Sequence, residues 1–311
     1  MPKYQIEDIS ILIADSNRQL RSSLKGVLHH HGFRKISDAH DIESFEDGIR
    51  THSPDLILCD VNLKGDLVCD VIYRLRHNHL GNNPFAAVIL FIDEANEEIV
   101  RLASRAGLDD LQIKPVIAQK IINRVTFLIE KRKPFVVTTD YIGPDRRKAT
   151  REGAQQVALV DVPNTLAMKA NGDFDLQKMQ REIASAVWDV NSQKIERHVY
   201  QVGYLVERII AAFESGQITK ESVEMLQRLM RVGQDIAHRL NNSDFRHISV
   251  VADTLVTVTQ ALWRSGGQPK RKDLDLLPEL SQALNATFNS GIESNKMAEE
   301  IQSSIKNQYG Q

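Results

Sequence analysis

An α/β domain followed by an all-α domain is the fold that this sequence predicts. Over about residues 8–130, short apolar runs alternate with amphipathic stretches of helical periodicity, which is typical of a doubly wound parallel sheet. From about residue 174 the strand-like runs stop and helical periodicity takes over. A chain of 311 residues is long enough for two domains that each bury a core.

The α/β part is predicted to hold five strands and five helices. Strands are expected near residues 10–15, 34–39, 55–60, 87–92 and 109–113. Helices are expected near residues 17–31, 41–52, 67–79, 95–106 and 116–132. The first helix has Leu20, Leu24, Val27 and Leu28 on one face, with Gly32 as its C-cap. Such alternation implies a flavodoxin-like five-stranded sheet with the strand order 2-1-3-4-5.

Charged side chains follow three of the predicted strands. Asp15 follows the first strand, Asp60 closes the third, and Lys114 follows the fifth. Because the strand order brings the carboxyl ends of these strands together, the three side chains are expected in one cleft. Two carboxylates and a lysine suit the binding of a hard cation and a phosphoryl group beside a nucleophilic carboxylate.

The ordered set of Asp15, Asp60, Ala106-Gly107 and Lys114-Pro115 resembles the receiver domain of two-component response regulators. The resemblance covers about residues 8–130. It implies that Asp60 accepts a phosphoryl group and that Lys114 contacts this group. It also implies that Mg²⁺ is bound by Asp15, Asp60 and the backbone carbonyl of Asn62. The implied phosphoryl donor is a sensor histidine kinase or a phosphotransfer protein.

Three positions depart from the pattern of that family. Ser16 stands where a second acid is usual, which removes one charged Mg²⁺ ligand. Asp93 follows the fourth strand where Ser or Thr is usual, and a carboxylate there would repel a phosphoryl dianion or pair with Lys114. Leu111 stands where an aromatic switch residue is expected. The domain is therefore expected to be somewhat degenerate, and a phosphorylation-independent scaffold is an alternative function.

Composition limits the partners and the location. The formal net charge of −2 provides no general attraction to nucleic acid or to a membrane surface. Cys59 and Cys69 are expected to be reduced thiols. No charged-then-apolar signal segment begins the chain, and no apolar run approaches the roughly 20 residues that span a bilayer. We therefore expect a cytoplasmic protein that does not insert into a membrane.

The predicted domains are a receiver-like domain over residues 1–131, a linker over 132–173 and a helical domain over 174–311. The linker contains Tyr141-Ile142-Gly143-Pro144-Asp145-Arg146-Arg147, which resembles a short motif that often follows receivers in bacterial signalling proteins. One interpretation is a solvated basic linker. The other is a docking segment in which Phe135 and Tyr141 anchor on a partner while Arg146 and Arg147 pair with the partner's carboxylates.

Four amphipathic helices are predicted in the helical domain. The first covers residues 175–214, with a break near Asn191 left open. Thr219 is expected to cap the second, with an incomplete capping box because Ser222 replaces Glu. The third covers residues 248–262, and the last runs from Leu277 to Ile292 with a continuation to Ile305 left open. Such helices argue for a bundle that serves as an output or dimerisation module, and a homodimer is one option.

The function predicted first is a response regulator, not an enzyme, in which phosphoryl acceptance at Asp60 gates the binding of a downstream protein through the helical domain. The run Ala237-His238-Arg239-Leu240-Asn241-Asn242 faintly resembles phosphotransfer signatures, so a phosphorelay intermediate using His238 is an alternative. A transcription regulator is another alternative. However, residues 152–311 hold 20 acids and 17 bases and show no clear helix-turn-helix, so nucleic acid is not an expected partner.

Overall fold

The structure is a computed structural model that describes residues 4–147, 158–172, 174–241 and 246–288, with the side chains of residues 246 and 247 excepted. The chain divides into two compact units, Met1–Val190 and Asn191–Gln311. This division falls within one long helix. The domain boundaries predicted from the sequence stay a prediction.

The described residues of the first unit form ten short strands, six helices and the beginning of a seventh helix. Its strands are β1 (Ser10–Ala14), β2 (Lys35–Ala39), β3 (Leu56–Asp60), β4 (Asn62–Leu63), β5 (Asp66–Leu67), β6 (Ala87–Ile92), β7 (Asp110–Ile113), β8 (Phe135–Val137), β9 (Ile142–Pro144) and β10 (Leu159–Val160). Its helices are α1 (Arg18–His30), α2 (Ile42–His52), α3 (Cys69–Arg76), α4 (Glu97–Ala106), α5 (Ala118–Lys131) and α6 (Thr165–Ala170). The seventh helix is α7 (Leu176–Glu214).

A five-stranded parallel sheet lies at the centre of this unit. Its strand order is β2-β1-β3-β6-β7, and every neighbouring pair is parallel. The predicted flavodoxin-like order is therefore confirmed. Every residue of β3 and β6 is buried, as expected for inner strands that helices cover on both faces.

The two faces of the sheet pack into two separate apolar cores. One core takes Leu12, Ile57, Cys59, Val88 and Leu90, together with apolar residues of α2, α3 and α4. The other takes Ile11, Leu58, Ile89 and Phe91 with residues of α1 and α5, and Leu166 of α6 also joins it. Alternate residues of each strand thus serve opposite cores, because successive side chains of a strand point to opposite faces.

Residues of the predicted linker form a second, antiparallel sheet with the order β10-β8-β9. Phe135, Val137 and Ile142 are buried in a small core that also contains Phe85 and Ala186. These residues are therefore not a solvated linker. Phe135 is covered within its own unit, so the interpretation in which it anchors on a partner does not fit the structure.

The described residues of the second unit form helices joined by short turns. It contains the end of α7, α8 (Lys220–Leu240), α9 (Arg246–Arg264) and a tenth helix, α10, described over residues 271–288. All four helices contribute to one apolar core, which includes Val202, Ile209, Leu229, Ile236, Leu255, Leu262, Leu277 and Leu284. The predicted bundle is confirmed in this respect. None of the described helices is long and apolar enough to cross a membrane.

The structure settles one open point in the helical part, the continuity of α7, and corrects one prediction, the incomplete capping box of α8. α7 is continuous through Asn191, whose side-chain oxygen accepts a hydrogen bond from Arg239 Nη1 at 2.7 Å. The capping box of α8 is complete, because the Ser222 hydroxyl accepts from the Thr219 N–H and Thr219 Oγ1 accepts from the Ser222 N–H. A serine side chain can therefore replace the glutamate of the usual box. The predicted end of the last helix at Ile292, and its continuation to Ile305, lie outside the described residues.

A buried polar cluster also ties α7 to α8. His198 Nε2 lies 2.7 Å from Asp235 Oδ2, and Arg239 Nε donates to the same oxygen at 2.9 Å. Burial alone would raise the pKa of Asp235, but the bonds from His198 and Arg239 outweigh it and hold this pKa well below its usual range. The ionised carboxylate is thus compensated inside the bundle.

We expect replacement of Gly107 by alanine to destabilise the first unit. Gly107 ends α4 with φ +86°, and an added Cβ would overlap the carbonyl oxygen of Ile142. The strained backbone alone costs about 1–3 kcal/mol. Urea unfolding followed by circular dichroism should therefore show a lower free energy of unfolding.

Gly26→Ala is the matched control. Gly26 lies inside α1, where an added Cβ would meet nothing within 4 Å. Its replacement should raise stability by about 0.5–1 kcal/mol, since alanine restricts the unfolded chain. Equal effects of the two substitutions would contradict the assigned role of Gly107.

Candidate functional site

The structure brings the three predicted charged residues to one edge of the central sheet. Asp60 is the last residue of β3, Asp15 directly follows β1, and Lys114 directly follows β7. Parallel strands end at the same edge, so this arrangement follows from the strand order. The backbone supports it, because Asp15 N–H donates to Ala39 and Lys114 N–H donates to Ile92.

Lys114 is shared between two carboxylates. Its Nζ donates to Asp60 Oδ2 at 2.6 Å and lies 3.1 Å from Asp93 Oδ1. Burial would lower the pKa of Lys114, but the bonds to Asp60 and Asp93 raise it above the ordinary value. The lysine is therefore a permanent cation beside Asp60, which is only 6% exposed.

Asp15 is buried and incompletely bonded. Its Oδ1 accepts from the Asn17 N–H at 2.7 Å, whereas its Oδ2 has no hydrogen-bond partner. Burial raises the pKa of Asp15, and the nearby negative charge of Asp60 raises it further. An unpaired acceptor of this kind, next to a second carboxylate, is the chemistry that a cation would satisfy.

Asn62 lies beside the site in a small hairpin. It begins β4, which pairs with β5, and its side-chain oxygen accepts from the Gly65 N–H at 2.7 Å. The Asn62 N–H points to Asp60 Oδ1 at 3.5 Å, which is too long for a strong bond. The role of its backbone carbonyl as a ligand stays a prediction.

The structure adds Arg21 to the residues that sequence reasoning identified. Arg21 lies on α1, and its Nη1 donates to the Asp15 carbonyl at 2.6 Å and to the Ser16 carbonyl at 3.3 Å. Its charge also lowers the pKa of Asp15, which partly opposes the effect of burial. The sequence does place an arginine in the first turns of the helix that follows Asp15. Whether its side chain turns towards Asp15 depends on tertiary packing, which the sequence pattern does not contain.

The positions that depart from the family pattern lie around this site. Ser16 is exposed and can offer only a neutral hydroxyl. Asp93 is exposed by 78%, and Leu111 is half-buried in β7. In the described part of the chain, no cluster of three or more acidic, cysteine or histidine side chains suited to a metal is present. Asp15 and Asp60 are thus the carboxylates that could hold a divalent cation here.

His238, the residue of the phosphorelay alternative, lies far along the chain on α8. Its side chain is exposed, and its neighbour Arg239 is buried against Asp235. This exposure agrees with the plain interpretation as a surface histidine.

We expect Asp15→Asn to stabilise the protein at pH 7 without Mg²⁺. The folded-state pKa of Asp15 is raised, so its stabilising contribution is complete below the unfolded value of about 3.9 and is lost as the pH rises through the folded value. Asparagine cannot ionise and should raise the free energy of unfolding by about 1 kcal/mol at pH 7. The difference should shrink as the pH falls towards 4.

Asp47→Asn is the control for this measurement. Asp47 is an exposed acid on α2, so its replacement should change stability by less than about 0.5 kcal/mol. Urea unfolding at several pH values measures both variants. A gain in Asp15→Asn that is independent of pH would argue against a buried, ionised Asp15.

The comparisons with known proteins concern the first part of the chain. A family model described as "Response regulator receiver domain" matches residues 11–126. Two-component response regulator PprB of Pseudomonas aeruginosa is 26% identical over 123 residues, which are 40% of this chain and 44% of that protein. Response regulator MprA of Mycobacterium bovis is 29% identical over 126 residues, which are 40% of this chain and 53% of that protein. The chain thus spans about half the length of the curated relatives it matches.

Solved structures of receiver domains also match this part. The signal receiver domain of a DNA binding response regulator from Colwellia psychrerythraea is 20% identical, with a TM-score of 0.36, over 40% of this chain and 100% of that chain. Chemotaxis protein CheY4 of Vibrio cholerae is 16% identical, with a TM-score of 0.34, over 38% of this chain and 96% of that chain. The resemblance inferred from the sequence is confirmed for residues 11–126, which match the receiver-domain model, and this match does not extend to the helical part that follows.

Proposed function

We propose that the chain is a two-component response regulator in which Asp60 accepts a phosphoryl group and thereby gates the binding of a partner by the helical part. The observation that carries the proposal is the bond of 2.6 Å from Lys114 Nζ to Asp60 Oδ2. A permanent cation at this distance can neutralise the charge of a phosphoryl group bound to the carboxylate. The receiver-domain match supports a role in two-component signalling.

The proposed reaction is phosphoryl transfer from a phosphohistidine of a sensor kinase or a phosphotransfer protein. One carboxylate oxygen of Asp60 attacks phosphorus, a new O–P bond forms, and the N–P bond of the donor breaks. The electron pair of that bond stays on the imidazole nitrogen. The products are an acyl phosphate on Asp60 and the free histidine of the donor. Lys114 stays beside the new phosphoryl oxygens and stabilises their charge.

Asp15, Asp60 and the backbone carbonyl of Asn62 are the groups that would hold Mg²⁺ in this proposal. The unpaired Oδ2 of Asp15 fits a cation ligand. Bound Mg²⁺ supplies positive charge that offsets the phosphoryl oxygens. Ser16 offers no second charge, so we expect a weaker cation site than two adjacent acids would make.

Asp93 supports a second candidate function. In the structure it shares Lys114 with Asp60, so an internal carboxylate already occupies part of the place of a phosphoryl group. A protein with this internal pair could act as a constitutive scaffold that binds its partner without phosphorylation. Transcription regulation and phosphotransfer through His238 are the other alternative functions that the sequence suggests. The proposal assigns no enzymatic activity to the helical part.

The first test is labelling of the full chain with acetyl phosphate and Mg²⁺, read out as intact mass. We expect one added phosphoryl group in the wild type and none in Asp60→Asn. Replacement of Asp15 by asparagine should slow labelling at low Mg²⁺ concentration, and excess Mg²⁺ should restore part of the rate. If the wild type gains no mass with acetyl phosphate or with a mixture of histidine kinases, the scaffold function replaces the proposal.

The competition between Asp93 and the phosphoryl group gives a second prediction. Asp93→Thr removes a carboxylate beside Lys114 and should raise the rate of Asp60 labelling about tenfold, which corresponds to about 1.4 kcal/mol. Glu94→Thr is the matched control, since Glu94 is an exposed neighbouring acid and has no bond to Lys114 in the structure. Equal rates in both variants would show that Asp93 does not hinder the site.

A further inference from the structure

Residues 134–147, which we call the clasp, fold back onto the carboxyl end of α4. The clasp contains β8, β9 and the motif Tyr141–Arg147 that was identified in the sequence. It is closed by two backbone bonds, from Thr138 N–H to the Tyr141 carbonyl and from Asp145 N–H to the Pro134 carbonyl, both at 2.8 Å. It is therefore an ordered hairpin with a defined contact surface.

Arg146 makes the polar contact between the clasp and α4. Its Nη1 donates to Ser104 Oγ at 2.7 Å, and its Nη2 donates to the Leu108 carbonyl at 2.6 Å. Bonds from a charged donor are stronger than neutral ones. Arg147 differs, because it donates hydrogen bonds to Asp145 within the same hairpin. The two adjacent arginines thus have different roles.

Two glycines let the backbones of the clasp and α4 touch. An added Cβ on Gly143 would lie 2.7 Å from Gly107 Cα and 2.6 Å from the Tyr141 hydroxyl oxygen. Both distances are shorter than real Cβ contacts, so a side chain at either position would separate the two backbones. The Tyr141 hydroxyl donates to the Pro144 carbonyl at 2.8 Å and completes the contact.

Apolar residues of the clasp share a small core with the amino-terminal part of α7. Phe135, Val137 and Ile142 share their small core with Ala186 and Val190. Val190 closes the first unit, and α7 itself continues to Glu214 in the second. The clasp therefore contacts the end of α4 through Arg146 and shares an apolar core with the start of α7.

The candidate phosphoryl site lies at the other end of α4. Asp93, the second partner of Lys114, precedes the N-cap residue Asn96 by a short loop. α4 has ten residues, and only Ala103 and Ala106 are buried. A short helix with few buried contacts is readily displaced as a rigid body. The Lys114–Asp93 pair and the clasp thus hold opposite ends of one weakly anchored helix.

We propose that the clasp is an intramolecular docking element that recognises the carboxyl end of α4 through Arg146 and the Gly107–Gly143 contact, and that it passes the state of the Lys114–Asp93 pair to α7. This inference deepens the proposed function and rests on it for the identity of the signal. In this proposal the motif Tyr141–Arg147 binds the carboxyl end of α4 in the same chain. Arg146 supplies the polar bonds of the contact, and Gly143 allows the close approach of the backbones.

Hydrogen–deuterium exchange of the full chain tests the docking contact without phosphorylation. Arg146→Ala should speed amide exchange at least about tenfold in residues 104–108 and 135–144, as expected for the loss of a charge-assisted hydrogen bond. Arg147→Ala, which removes the same charge from the neighbouring position, should leave these segments unchanged. Equal behaviour of the two variants would overturn the docking role of Arg146.

The communication step is tested with variants of the other end of α4. Asp93→Thr should change exchange in residues 135–144 and 186–190, whereas Glu94→Thr should not. In the Arg146→Ala background, adding Asp93→Thr should cause no further change of amide exchange at residues 186–190. No change at 135–144 and 186–190 in Asp93→Thr would overturn the proposal.

Acetyl phosphate separates this proposal from the proposed function. A gain of mass at Asp60 together with changed amide exchange in the clasp supports both the proposed function and the coupling. Added mass with an unchanged clasp overturns the coupling and leaves the proposed function standing. If no mass is added, the proposed function fails, and the exchange of Asp93→Thr still decides whether the clasp senses the pair.

Discussion

Asp109 precedes β7, and its buried carboxylate joins more elements of the first unit than any single apolar contact described above. Arg76 Nη2 donates to Oδ2 at 2.9 Å, Arg132 Nε donates to Oδ1 at 2.7 Å, and the Val88 N–H donates to Oδ2 at 2.9 Å. These bonds link α3, β6 and the end of α5. Burial lowers the pKa of Arg76 to about 10, so the guanidinium stays charged at neutral pH. Because removal of one member of a buried ion pair leaves the other uncompensated, this cluster is a strong constraint on the fold.

The same cluster explains why the clasp belongs to the first unit. The Phe135 ring lies 5.3 Å from the guanidinium carbons of both Arg76 and Arg132. Arg76 also donates to the Gly107 carbonyl, next to the backbone contact with Gly143. A receiver fold that ended after α5 would expose Phe85 and these arginines to water. The compact unit therefore extends well beyond the residues that match the receiver family.

Charge balance governs the candidate site. Lys114 lies between Asp60 and Asp93, while Arg21 reaches the backbone next to Asp15. Two carboxylates thus pair with one lysine ammonium, and the charges of Lys114 and Arg21 act on Asp15 without a side-chain ion pair. Burial is the main reason that the pKa of Asp15 is raised, and the negative charge of Asp60 raises it further. The carboxylates at this site would repel an approaching phosphoryl dianion, and a bound divalent cation would offset that repulsion.

The sequence by itself determined the strand order of the sheet and the meeting of Asp15, Asp60 and Lys114, because both follow from local periodicity and from the geometry of parallel strands. It also indicated the bundle through helical periodicity. Only the tertiary structure decided that Phe135 is buried, that Arg146 binds Ser104 and Leu108, and that α7 continues through Asn191. Each of these depends on a partner distant along the chain: Phe85, the end of α4 and Arg239, respectively. A local sequence pattern can identify residues that are suited to a contact. It cannot identify their partners, because these are brought close only by the packing of distant segments.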